Sequence, residues 1–139
     1  MSLVDARLEC SSAQALTASA DSTNVIALTQ TARQIGAGKP MFMHFNVGVA
    51  ADFTTGDETY TFGVATGAAA SLGTVLASRA IVAGTLVAGD NFSIAVPATG
   101  VLRYIGGEYV LAGTSPTITV DAYLSDQEVY SLQSYADAI

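Results

Sequence analysis

The chain has 139 residues, of which 50% are hydrophobic and only 12% charged, and this fits one domain with a substantial core. Five Lys and Arg against twelve Asp and Glu give a net charge of −7, which argues against partners that require a basic surface, namely nucleic acid and anionic membranes. One cysteine and one histidine exclude an intramolecular disulfide framework and leave too few ligands for a zinc knuckle or a histidine-rich metal site.

The first 20 residues are predicted to form an N-terminal arm outside the main strand array. Within it, the Ala, Gln and Leu content of 11–20 is enough for a turn or two of helix, although Thr17, Ser19 and Ser22 weaken this pattern. A short β-branched strand is predicted at 24–28. The longest weakly polar stretch of the chain, 80–89, is interrupted by Gly84, Thr85 and Gly89 and is far shorter than the roughly 20 apolar residues of a membrane-spanning helix.

Alternation of apolar and polar residues dominates the middle of the chain and is typical of strands with one buried face. It is clearest at 41–49, 59–65, 92–96 and 117–124, and looser at 74–82. The side chains that the alternation assigns to the core are Met41, Met43, Phe45, Val47, Val49, Tyr60, Phe62, Val64, Phe92, Ile94, Val96, Ile118, Val120, Ala122 and Leu124.

Glycine and proline mark the turns between these strands. A turn is predicted at 54–57 and a loop at 67–73, and Gly106-Gly107-Glu108 predicts a tight hairpin between strands 102–105 and 109–112. About eight short strands indicate an all-β sandwich or barrel with its body over 21–126. Residues 127–139 form a C-terminal tail that is too apolar for a plain disordered segment.

Motifs for catalysis or cofactor binding are weak throughout the sequence. His44 lies on the polar face of its strand and is interpreted as a surface or subunit-contact residue. The run GAGKP at 36–40 lacks the first glycine and the Ser or Thr of a phosphate-binding loop. Asp57 and Glu58 are adjacent carboxylates at a predicted hairpin. Because consecutive strand residues point to opposite faces, they are not expected to act as a catalytic pair without a special turn geometry. We therefore predict a protein that is not an enzyme and holds no cofactor or metal.

Cys10 is interpreted as a small packed side chain or a loose thiol. Among the aromatic residues, Phe42, Tyr123, Tyr130 and Tyr135 fall outside the predicted core faces. These four are therefore candidates for contacts with other proteins.

Several short segments resemble one known family. They are LRYIGGEY at 102–109, Gly113, TITV at 117–120 and SDQ at 125–127, with ALTASA at 15–20, STNVI at 22–26 and Leu28 in the first part of the chain. Together they resemble the capsid cement (decoration) proteins of tailed bacteriophages, of the type first described from a Bordetella phage. The resemblance implies a jelly-roll β-sandwich. It also implies a virion protein that sits on the outer surface of the mature head as a small homo-oligomer and bridges neighbouring major capsid protein subunits.

On this interpretation, the two terminal arms lie across the seams between capsid subunits. The expected contact residues are Leu3, Val4, Arg7 and Leu8 in the N-terminal arm and Tyr130, Leu132 and Tyr135 in the tail. The strand-face residues Phe42, His44 and Tyr123 are expected instead at the contact between copies, with a dimer favoured and a trimer possible. The alternative is a receptor- or carbohydrate-binding jelly roll of a phage tail or an adhesin, against which the absence of tryptophan argues mildly.

Overall fold

The computed structural model describes residues 8–28, 41–97 and 100–125. These residues form nine β-strands and a one-turn 3-10 helix at Ala83–Thr85. The strands are β1 (Glu9–Leu16), β2 (Ala20–Asp21), β3 (Ile26–Ala27), β4 (Phe42–Val49), β5 (Thr59–Gly67), β6 (Thr74–Ile81), β7 (Asn91–Ala95), β8 (Tyr104–Ala112) and β9 (Ile118–Ser125).

Two antiparallel sheets make up the fold, and the prediction of an all-β sandwich is confirmed. One sheet has the order β1-β9-β4-β7 and the other the order β2-β8-β5-β6, with β3 also paired to β8. Apart from the β5–β6 hairpin and the small β3, each strand is followed by one in the opposite sheet. This alternation between a four-stranded and a five-stranded sheet is the jelly-roll arrangement.

Four loops meet at one end of the sandwich, which we call the loop end: 17–19, 50–58, 82–90 and 113–117. The register places them together, because Leu16 pairs with Ile118 in the first sheet and Thr59 pairs with Ala112 in the second. The pair Phe42 and Ser125 marks the opposite end of the first sheet. The loop end is therefore remote from the point where β9 finishes.

Aromatic rings from both sheets fill the centre of the core. Phe45, Phe62 and Tyr109 are at most 1% exposed, and Phe92 packs against them from the side. The ring of Phe45 lies 5.6 Å from that of Phe62, and the ring of Tyr109 meets both nearly edge-on. Edge-on contacts at this separation are the favoured geometry of aromatic pairs. The core side chains that the alternation identified are confirmed in these strands, with one exception.

The exception is Val49, which was assigned to the core and is 59% exposed. The pairing of β4 with β9 shifts between Val47 and Val49. A register shift of this kind turns the following side chain away from its expected face. Val49 therefore points outward at the loop end.

The helical prediction for 11–20 is wrong, because Glu9–Leu16 forms the edge strand β1. Its pairing with β9 shifts on both sides of Ser11, and Ala13 adopts a φ of 47°. These irregularities bury the consecutive side chains of Cys10 and Ser11, so the strand has no period-two pattern for sequence analysis to detect. Much of the segment predicted as an N-terminal arm thus belongs to the sheets.

The predicted hairpin at 106–108 is also wrong, because β8 runs straight through Gly106 and Gly107. A Cβ on Gly106 would lie 2.9 Å from both the Leu72 Cδ1 and the Ser22 Oγ atoms. The Ser22 hydroxyl also accepts a 3.1 Å hydrogen bond from the amide of Gly107. These glycines therefore allow neighbouring segments to approach the sheet closely, and they do not form a turn.

Candidate functional site

Three of the predicted contact residues share the outer face of the first sheet. His44 and Tyr123 are paired in register, and their rings stack 4.8 Å apart with an angle of 2° between their planes. Phe42 lies two positions along β4 on the same face. The predicted exposure of His44 is wrong, since it is only 3% exposed, whereas Phe42 and Tyr123 are half-buried. Phe42 and Tyr123 therefore present the accessible aromatic surface of this face.

The predicted arm residues are mostly outside the described residues. Leu8 is described, is half-buried and packs against the core. Its position next to β1 makes it part of the sandwich. The other predicted arm and tail contacts lie outside the described residues: Leu3, Val4, Arg7, Tyr130, Leu132 and Tyr135.

Asp57 and Glu58 organise the loop end. Glu58 is 3% exposed and accepts hydrogen bonds from the backbone amides of Thr55 and Gly56. Asp57 accepts bonds from the backbone amide and the hydroxyl of Thr114, at 3.1 and 2.8 Å. The Thr55 hydroxyl contacts both carboxylates. The two groups therefore tie the 50–58 loop to itself and to the 113–117 loop.

These hydrogen bonds favour the ionised carboxylates. The pKa of Glu58 is lowered, mainly by the Thr55 hydroxyl, and the pKa of Asp57 is lowered by the same hydroxyl and then by Thr114. Glu108, on β8, has a raised pKa because it is partly desolvated and lies opposite Asp21 on β2. The fold therefore favours the ionised form of Asp57 and Glu58 and disfavours that of Glu108.

We expect the protein to lose stability in acid. Because the pKa values of Asp57 and Glu58 are lower in the folded chain, their stabilisation is complete above their unfolded-chain values and is lost as the pH falls through the folded values. Glu58→Gln should lower the free energy of unfolding at neutral pH and make it less dependent on pH between about 5 and 3. Urea unfolding followed by circular dichroism at several pH values measures both effects.

The matched control is Glu108→Gln. A raised folded pKa means that the fold disfavours the ionised carboxylate, so removing this charge should leave stability at neutral pH unchanged or increase it. If the two glutamine variants shifted the unfolding free energy in the same direction at neutral pH, the assigned roles of the two carboxylates would be wrong.

Tyr60 connects the same loops from the core side. It is 1% exposed, and its hydroxyl donates a 2.7 Å bond to the carbonyl of Asp52 and lies 3.2 Å from both the amide and the carbonyl of Thr117. The amide of Ala51 donates to the carbonyl of Leu86 at 2.9 Å, which joins the 82–90 loop to the others. The loop end is thus held rigidly by hydrogen bonds between separate loops.

Apolar side chains are exposed on this rigid framework. Val49, Phe53, Val82 and Val87 are 59%, 44%, 70% and 52% exposed. An open groove of about 500 Å³ runs between the 50–58 loop and the end of β6 and is lined by Phe53, Tyr60, Ile81 and Val82, among others. This surface was not predicted from the sequence. The available signal was the position of Phe53 next to the predicted turn, together with Val82 and Val87, each two positions before a glycine.

Other chemistry has little support among the described residues. They contain no group of three His, Cys, Asp or Glu side chains close enough to hold a metal ion. Cys10 is fully buried, and burial raises the pKa of its thiol to about 11, so the packed interpretation is confirmed. Across 8–28, 41–97 and 100–125, no helix is long and apolar enough to cross a membrane.

Comparison with known proteins gives one family. No curated protein matches the chain significantly. The family model described as Bbp16 matches residues 10–124, which extend from β1 to the second-last residue of β9. That name points to a Bordetella phage protein, in line with the resemblance found in the sequence. The chain therefore belongs to the Bbp16 family and is a phage-associated protein.

Proposed function

We propose that the protein is a capsid cement protein, which binds the outside of the expanded phage head and bridges neighbouring major capsid protein subunits. The observation that carries the proposal is the family match over 10–124, because it covers both sheets of the sandwich. The match supports the proposal because the family relation extends over the whole folded body, and a folded body of two packed sheets suits a bridge between subunits.

The charge of the body supports an outer location. The described residues include eight carboxylates, Glu9, Asp21, Asp52, Asp57, Glu58, Asp90, Glu108 and Asp121, but only two arginines. Arg79 lies over the ring of Phe92 and Arg103 over that of Tyr104. Such a surface is repelled by DNA, so it suits the outside of a DNA-filled shell.

The mechanism follows from linkage. A protein whose binding site exists only in the expanded lattice stabilises that lattice by RT ln(1 + [L]/Kd) at each site. Contacts to two subunits by one molecule add through effective concentration, so weak individual contacts hold a seam firmly. A shell under internal pressure fails where subunits separate, and those seams are where bridging has its effect.

Two sets of residues are assigned to contacts. Phe42 and Tyr123 are proposed to form the contact between copies of a homo-oligomer, for which a dimer is favoured and a trimer possible. Tyr123 is held in place by its stacking on the buried His44. The segments 1–7 and 127–139, with their apolar and aromatic residues, are proposed to lie across capsid seams.

Co-sedimentation tests the proposal directly. The purified protein should bind saturably to expanded heads of its own phage that lack it, and should not bind unexpanded procapsids. Deleting 1–7 or 127–139 should abolish retention on heads while leaving the circular dichroism of the sandwich unchanged. Failure of the intact protein to bind either particle would contradict the cement function and favour a receptor- or carbohydrate-binding role. Undiminished retention of both truncated forms would contradict the role of the arms.

A further inference from the structure

The exposed apolar side chains of the body are unevenly distributed. Six large hydrophobic side chains are well exposed among the described residues, and four of them, Val49, Phe53, Val82 and Val87, lie at the loop end. Single exposed hydrophobic residues are ordinary, whereas a cluster rimmed by polar groups is typical of a protein contact surface. The groove of about 500 Å³ beside Phe53 and Val82 gives this cluster a concave part.

This surface is ordered before anything binds to it. The amide of Asp52 donates to the Thr117 carbonyl at 2.9 Å, and Val47 and Gly89 are joined by a 2.8 Å backbone bond. The Asp90 carboxylate accepts from the amide of Val87 at 3.1 Å. Leu86, 2% exposed, anchors the 82–90 loop in the core. A partner therefore meets a shaped surface and loses little entropy in ordering it.

The charge of the loop end selects the partner. Asp52, Asp57 and Asp90 lie in the 50–58 and 82–90 loops that carry Phe53, Val82 and Val87, and Asp57 also lines the groove. Arg79 is engaged with the Phe92 ring, and Arg103 precedes β8 at the opposite end. In a symmetric contact between two copies, these carboxylates would face their own counterparts, which is unfavourable. The complementary surface is an apolar patch bordered by lysine or arginine.

We propose that the loop end docks onto a basic-rimmed apolar patch on the outer surface of the major capsid protein. This rests on the proposed function and assigns a further docking contact to the sandwich itself, at the end remote from Ser125. Full retention on heads then requires both this contact and the arms. The valines and Phe53 supply the desolvated centre of the contact, and the aspartates supply its polar rim.

The test is binding to expanded heads by a double variant, Val82→Ser with Val87→Ser. Both side chains are mostly exposed, so the fold should be retained, and equal thermal unfolding midpoints would verify this. The matched control is Val75→Ser, because Val75 is 49% exposed at the far end of β6, the strand that Val82 follows. We expect the double variant to bind heads about tenfold or more weakly and the control to bind normally. Binding of the natural protein should also weaken as salt is raised.

Hydrogen exchange on head-bound protein gives a second readout. Amides in 50–58 and 82–90 should become more protected on heads than in free protein. Normal binding by the double variant, with no added protection in these loops, would overturn the loop-end proposal and leave the cement function intact. Failure of the natural protein itself to bind heads would overturn both. A change in the sedimentation coefficient of the free double variant would identify a second copy as the occupant and overturn the assignment to the capsid.

Discussion

Replacing Gly113 by alanine should lower the free energy of unfolding by about 4 kcal/mol. Gly113 has a φ of 101°, which an L side chain rarely adopts. A Cβ there would lie 2.5 Å from the carbonyl oxygen of Asp57 and 2.6 Å from the Cα of Glu58. Both are backbone atoms of the tightly bonded 50–58 loop, so neither can move without breaking the links to Thr114. Urea unfolding followed by circular dichroism measures the loss.

Gly56→Ala is the matched control, because it introduces the same backbone strain at positive φ without a steric clash of the new Cβ. Gly56 also has a positive φ, 81°, but a Cβ there would meet nothing within 4 Å. Gly56→Ala should therefore cost only the backbone strain, roughly 1 to 2 kcal/mol. An equal loss in the two variants would show that the contact of Gly113 with the 50–58 loop adds nothing to stability.

Phe45→Ala should cost about 4 kcal/mol, because it opens a cavity in the centre of the aromatic cluster. Phe45 is fully buried and contacts the rings of Phe62, Phe92 and Tyr109. Single domains are stable by only about 5 to 15 kcal/mol, so this one change removes a large share of the total. Thermal and urea unfolding would both detect it.

Phe53→Ala is the control for that experiment. The same atoms are removed, but Phe53 is 44% exposed at the loop end, so the free energy of unfolding should fall by no more than about 1 kcal/mol. Similar losses for the two phenylalanines would mean that Phe53 is part of the core, which would also weaken its proposed role in docking.

The inward faces of the long strands were predictable from sequence because a strand buried on one side must alternate. Phe45, Phe62 and Val120 were placed correctly on that basis alone. The rule failed where the backbone is irregular. In β1 the shifts around Ser11 hide the alternation, and in β4 the shift after Val47 turns Val49 outward.

Glycine was the least reliable signal, because its presence does not reveal which of its properties is used. The adjacent pair at 106 and 107 resembled a hairpin, yet the strand continues and the missing side chains make room for Leu72 and Ser22. At Gly113 the positive φ and the close approach both matter. The residues that approach these glycines are distant in sequence, so the local sequence could not show whether a glycine serves a turn or a close contact.

Composition and periodicity by themselves determined the acidic character, the fold class and most of the core. Net charge is a sum over all residues, and the strands and their buried faces follow from a local alternation of apolar and polar residues. The loop end was decided only by the tertiary structure. Phe53 and Val82 are separated by a strand pair in sequence, and they meet because the chain crosses between the two sheets at the same end. The burial of His44 had the same origin, since its stacking partner Tyr123 comes from a strand near the other end of the chain.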